Sequence, residues 1–134
     1  MLPLKTNFMM NTTTDTALKQ VLIIEDEGEM CLLINLLLDG KGMEIEHVKS
    51  LSAAVEYLQQ HAPDVVLIDN RLPDGYGIDF ISSLKKMHPD TKIIMISGID
   101  VSAKDVAIAN GADLFLEKPF TRTVLLESIQ EVLK

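Results

Sequence analysis

Four short apolar runs in this chain are each followed by a side chain able to do chemistry. Val21–Ile24 runs into Glu25-Asp26, Val65–Ile68 into Asp69, Ile93–Ile96 into Ser97, and Leu114–Leu116 into Glu117-Lys118-Pro119. Singly, each has an ordinary reading. An aspartate after an apolar run is commonly a turn residue or helix cap. A lysine is commonly solvated surface, and Ser97-Gly98 alone is a turn. The joint arrangement, with polar groups following each run, is more informative. Three carboxylates gathered in one place repel one another and call for a cation. A hard divalent ion such as Mg²⁺ takes oxygen ligands and typically uses one or two carboxylates together with phosphate and water. Lys118 adds a point charge able to pair with phosphate, and Ser97 adds a small donor. An acidic cluster, a lysine and a hydroxyl together fit a phosphoryl group carried on a carboxylate.

For these groups to meet, the runs must be neighbouring strands pointing the same way, and the intervening segments supply the crossovers. Met30 to Leu38 has a helical pattern that stops at Asp39-Gly40, and Met43 to Val48 is a weaker strand with some alternation. Ser50 is placed to cap a helix through Gln60. Ile78 to Met87 is helical, with Phe80, Ile81 and Leu84 on one face. Ser102 to Asn110 is a short helix with Gly111 at the C′ position. Thr121 caps a last helix whose apolar stripe is Leu125, Leu126, Ile129, Val132 and Leu133. Strands alternating with helices predict an α/β fold with a parallel sheet covered on both faces. Strands that are apolar throughout agree, because both of their faces are buried. Such sheets bind ligands at the carboxyl ends of their strands, where the polar residues gather. A truncated nucleotide-binding sheet is the alternative fold, but the chain has neither GxGxxG after the first strand nor GxxxxGK[ST].

The composition bounds the partners. The 134 residues suit one domain, and 47% of them are apolar, enough for one sizeable core. Aromatics are only 4%, so that core rests on Ile, Leu, Val and Met. A formal net charge of −8 argues against direct nucleic-acid binding and against adhesion to an anionic membrane. The single cysteine, Cys31, rules out an internal disulfide and a Cys-rich zinc site, in keeping with a cytoplasmic location. The N-terminus lacks the continuous apolar stretch of a signal peptide. Residues 1–18 read as a flexible, Thr-rich arm and 19–134 as the folded domain. His47, His61 and His88 do not have a metal-ligand spacing and are expected at the surface or its boundary.

VLIIEDE (21–27), DVVLIDNRLPDGYG (64–77), KIIMISG (92–98) and GADLFLEKPF (111–120) together resemble the receiver domains of two-component response regulators, the family that includes the chemotaxis receiver. The likeness covers about residues 20–134. It implies a doubly wound, flavodoxin-like five-stranded parallel sheet with strand order 2-1-3-4-5 and five helices. It also implies that Asp69 is the phosphoacceptor and that Glu25 and Asp26 hold Mg²⁺ or Mn²⁺. Asp69 itself and the backbone carbonyl of Arg71 would complete the metal ligands. Ser97 resembles the family's switch hydroxyl, Lys118 the lysine that pairs with the phosphoryl group, and Phe115 the rotamer-switching aromatic. The Lys118-Pro119 bond is expected to be cis, and Gly77 falls where the family needs a small residue before the third helix. The sequence departs from the family in three places. Glu25 stands where Asp is commoner, Phe115 lacks the hydroxyl of a Tyr, and Tyr76 occupies a position that is often acidic.

The resemblance implies a signalling phosphoacceptor rather than an enzyme. It would take its phosphoryl group from a histidine kinase or histidine phosphotransfer protein. It would then signal to a downstream protein through the face formed by the fourth helix, the fifth strand and the fifth helix. The alternatives are a metal-dependent aspartyl-phosphate phosphohydrolase, for which no substrate cap is present, and a phosphorylation-independent interaction module. The chain ends one helix after Lys118, which fits a stand-alone receiver or a receiver cut from a longer protein. On the first helix, a wheel of Met30 to Leu38 puts Met30, Leu33, Ile34, Leu37 and Leu38 toward the sheet, with Cys31 on the flank. Leu32 and Leu36 fall opposite, where a surface helix is usually polar. Either they are scattered leucines, or the arm covers them through Leu2, Leu4 or Phe8, or they anchor the phosphodonor protein.

Overall fold

The structure is a computed structural model that describes residues 18–98 and 103–134. Most of the expected arm, with Leu2, Leu4 and Phe8, and also Ser102, lie outside the described residues. In chain order the elements are β1 (Lys19–Ile24), α1 (Gly28–Leu38), β2 (Met43–Val48), α2 (Leu51–Leu58), β3 (Val65–Asp69), β4 (Arg71–Leu72), β5 (Gly75–Tyr76), α3 (Gly77–Met87), β6 (Lys92–Ser97), α4 (Ala103–Ala109), β7 (Leu114–Glu117) and α5 (Arg122–Val132). The main sheet has the order β2-β1-β3-β6-β7, and all its pairings are parallel. Counted over its own strands this is 2-1-3-4-5, as the sequence predicts.

The three inner strands are apolar on both faces because both faces are covered. On one side α1 and α5 pack over Val21, Ile23, Val65, Leu67, Ile94 and Ile96. On the other, α2, α3 and α4 pack over Leu22, Ile24, Val66, Ile68, Ile93 and Met95. Each such side chain, buried completely, contributes about 1.5–3 kcal/mol relative to exposure. Local signals set the helix ends. Ser50 Oγ accepts from the Ala53 amide at 3.1 Å, Thr121 Oγ1 accepts from the Val124 amide at 3.1 Å, and Gly111 follows α4 with φ +117°. Among the described residues, no helix is long and apolar enough to cross a membrane.

One expectation needs correction. On α1 the sheet-facing line is Cys31, Ile34 and Leu38, all buried, whereas Leu33 is exposed. Met30 and Leu37 are half-buried at the margin of the core. The stripe is therefore rotated toward Cys31, because a segment whose only polar residue is Asn35 does not fix its own phase. Between β3 and α3 the chain adds a small antiparallel hairpin of β4 and β5, pairing Arg71 with Tyr76 and Leu72 with Gly75. Strands of two residues leave no period to read.

Candidate functional site

Strand side chains alternate between faces, and this decides which groups meet. On β1, Val21 and Ile23 face α1 and α5, so Glu25 continues that side; on β3, Val65 and Leu67 do the same for Asp69. Ile24 lies beside Ile68 in the register, which sets Glu25 level with Asp69. On β7, Leu114 and Leu116 face this side too, and Lys118 extends it. Ser97 and Phe115 fall on the opposite parity. Lys118 Nζ reaches across to Asp69 Oδ1 at 3.3 Å and Glu25 Oε1 at 3.4 Å. Carboxylate oxygens of Glu25, Asp26 and Asp69 all lie within 4.8 Å of one another. The grouping expected from the sequence is therefore present.

Glu25 is buried. Burial, then the hydrogen bond and charge of Asp69, push its carboxyl up to about 7, with Lys118 opposing. For Lys118, burial works against the charge, but the negative charges of Asp69 and Glu25 outweigh it and hold the ammonium above its ordinary range. Three acids with one lysine leave a negative excess. Glu25 Oε2 is buried with no hydrogen-bond partner, and an orphaned buried acceptor costs free energy. An all-oxygen donor set with an orphaned carboxylate oxygen fits a hard divalent cation.

The backbone around Asp69 is tightly held. Asp69 Oδ1 accepts from the Asn70 amide at 2.9 Å. Asn70 Oδ1 in turn accepts from the Ile78 amide at 3.0 Å, so Asn70 stands in as the cap that Tyr76, before α3, does not provide. At Gly77, any Cβ would run into the Asp69 carbonyl oxygen, which is the close approach expected there. A cavity of about 460 Å³ opens beside Asp69, lined by Arg71, Tyr76, Ser97, Gly98 and Lys118 among others. Tyr76, whose role the sequence left open, forms part of its wall. The Lys118-Pro119 bond is cis. Asp26 is exposed, Ser97 is buried, and Phe115 is half-buried against the core on the α2–α4 side. Leu32 and Leu36 are 61% and 66% exposed, away from the sheet. His61 is exposed while His47 and His88 are half-buried, and among the described residues none joins a metal-binding group. Sequence reasoning missed the capping role of Asn70. Asn is a preferred cap, but here it acts eight residues ahead of its amide.

Residues 21–130 match the family model described as the response regulator receiver domain. The chain is similar to the chemotaxis protein CheY of Thermotoga maritima, with 32% identity over 118 residues that span 87% of this chain and 98% of that protein. It is 34% identical over 100 residues, 75% of this chain, to the KDP operon transcriptional regulatory protein KdpE of Escherichia coli and covers 44% of its length. The chain thus spans about half the length of the transcriptional regulatory proteins it matches. Among solved structures it resembles the beryllofluoride-activated NtrC4 receiver domain dimer, with a TM-score of 0.82 and 32% identity, covering 87% of this chain and 97% of that one.

Proposed function

Because the chain belongs to the response-regulator receiver family, we propose that it takes a phosphoryl group onto Asp69 from a histidine kinase or histidine phosphotransfer protein. The observation that carries this reading is the approach of Lys118 to Asp69 and Glu25 beside the Glu25–Asp26–Asp69 cluster. A carboxylate oxygen of Asp69 bonds to phosphorus as the phosphohistidine N–P bond breaks, and the imidazole nitrogen keeps the bonding pair. Glu25, Asp26, Asp69 and the Arg71 carbonyl would hold Mg²⁺ or Mn²⁺, which when bound neutralises charge on the transferring group. Lys118 and Ser97, both lining the cavity, bind the new phosphoryl oxygens.

Drawing Ser97 toward those oxygens pulls on the segment between β6 and α4, of which residues 99–102 lie outside the described residues, and lets Phe115 turn inward. The face of α4, β7 and α5 changes as a result and signals to a downstream protein. That face exposes Val106, Ile108 and Val124. The protein is a phosphoacceptor that assists its own transfer and dephosphorylation, working in the cytoplasm, with neither nucleic acid nor membrane as its direct partner. Leu32 and Leu36 form the docking patch for the phosphodonor protein, since α1 begins at Gly28, two residues after Asp26.

The test is Asp69→Asn. The amide is isosteric but a poor nucleophile, so labelling by a small phosphodonor is expected to vanish while the chain still folds and unfolds cooperatively. Undiminished labelling of the variant at another carboxylate would sink the assignment.

A further inference from the structure

The segment after Asp69 carries Arg71, whose carbonyl belongs to the metal-binding set proposed above, and it hangs between two helix N-termini. One tether is Asn70, whose carbonyl accepts from the Gly77 amide at 2.7 Å and whose side chain accepts from the Ile78 amide at 3.0 Å, both at the start of α3. The other is Asp74, at the tip of the β4–β5 hairpin. Its Oδ1 accepts from the Leu51 amide and its Oδ2 from the Ser52 amide, each at 2.9 Å. Those are the first two amides of α2, which has a local cap of its own in Ser50. Ser50 Oγ takes only the third amide, that of Ala53. The orphan donors of this helix end are therefore shared between a neighbouring hydroxyl and a carboxylate from a segment more than twenty residues away.

The hairpin tip also packs on α2. A Cβ at Gly75 would lie 3.0 Å from Leu51 Cδ1, and Gly75 has φ +152°, a conformation suited to glycine. The Leu51 and Ser52 amides, in that order, hold the Asp74 carboxyl below its ordinary range, so it remains an ionised acceptor at neutral pH. An anion at a helix N-terminus is favoured by the helix dipole as well.

We infer that Asp74 is a positioning residue for the phosphoryl site: by clamping the β4–β5 hairpin to the start of α2, it holds the Arg71 carbonyl where a divalent cation on the acidic cluster can use it. This rests on the receiver reading above. Capping α2 is the lesser part of the role, since Ser50 already caps it. What Ser50 does not do, and Asp74 does, is tie the metal-side loop to α2. Without that tie the loop keeps Asn70 and the packing of Leu72 and Gly75, but a ligand three residues from the loosened Asp74 has to be ordered each time the ion binds.

The test is titration of Mg²⁺ alone into the intact protein by calorimetry, for the unsubstituted chain, Asp74→Ala, Asp74→Asn and Ser50→Ala, with thermal unfolding of each. Outer-shell partners of metal ligands typically change affinity by about 10–100-fold, and one acting through the backbone is expected near the bottom of that range. Asp74→Ala should therefore weaken Mg²⁺ binding by about tenfold. Asp74→Asn, which keeps one acceptor oxygen, should recover part of the loss. Ser50→Ala should lower the melting temperature yet leave Mg²⁺ affinity unchanged. Unchanged affinity in Asp74→Ala overturns the inference, and so does an equal loss in Ser50→Ala, which would make the effect one of helix stability. Absence of Mg²⁺ binding by the unsubstituted chain is a different result, because it overturns the receiver-site reading and takes this inference with it.

Discussion

Cys31 shows how little reactivity a nucleophile has when its surroundings oppose its charged form. Its thiol is buried on the inner line of α1, donates to the Glu25 carbonyl at 3.6 Å and lies 2.6 Å from His47 Nε2. Burial first, and then the charge of Glu25, push it up to about 11. Thiolate is the reactive form, so near neutral pH the native protein should alkylate about two orders of magnitude more slowly than the unfolded chain. Iodoacetamide labelling with and without denaturant measures this, and equal rates would mean that the thiol is not enclosed. At this scale the sequence was legible wherever a residue's job follows from its own position. Asp69, Lys118 and Ser97 lie where a period of two along each strand puts them. The sequence was not legible where the job depends on a distant amide, as with the bonds of Asn70 to Ile78 and of Asp74 to Leu51. No spacing rule links a side chain to a helix end in another element.

Among the elements, the turn from β3 into α3 is the least forgiving. Gly77 lies against the Asp69 carbonyl with no room for a methyl group. Gly77→Ala must push the start of α3 or the end of β3 aside, and overpacking of this kind costs about 1–3 kcal/mol. Urea unfolding should show that loss, with phosphoryl uptake reduced as well because Asp69 moves. An unchanged midpoint would mean that the turn relaxes freely. On α1 the expected outcome is the reverse. Changing both Leu32 and Leu36 to Glu replaces exposed side chains, so stability should change by less than about 0.5 kcal/mol per site. Transfer from the cognate kinase should slow while labelling by a small phosphodonor is spared. Equal slowing of both donors would indicate a damaged fold, and no slowing of either would remove the docking role. The same helix marks where the sequence stops being informative. Periodicity identified it, but with only Asn35 to break the apolar run the pattern could not say that Cys31, rather than Leu33, faces the sheet.

For the whole molecule, the acidic cluster is a local conflict that the fold tolerates. Like charges sit together at one edge of the sheet, and Glu25 keeps a buried oxygen without a partner. A divalent ion that binds only the folded chain should therefore raise its stability, by about 2.7 kcal/mol at a hundred times the dissociation constant. Thermal unfolding with Mg²⁺ and then with excess chelator checks this: the melting temperature should rise and return. The shift should disappear in Asp26→Ala if that exposed carboxylate is a principal ligand. The strand order bears on the chain while it is being made. β1 is synthesised first yet lies inside the sheet, paired on both edges with strands that come later. Lys118, from beyond the last strand, follows Asp69 by 49 residues. A chain still on the ribosome presents Asp69 before its lysine exists, and the constellation around it closes only after β7 has been made and has joined the sheet. A copy broken off before Lys118 therefore lacks the ammonium that faces Asp69 and Glu25.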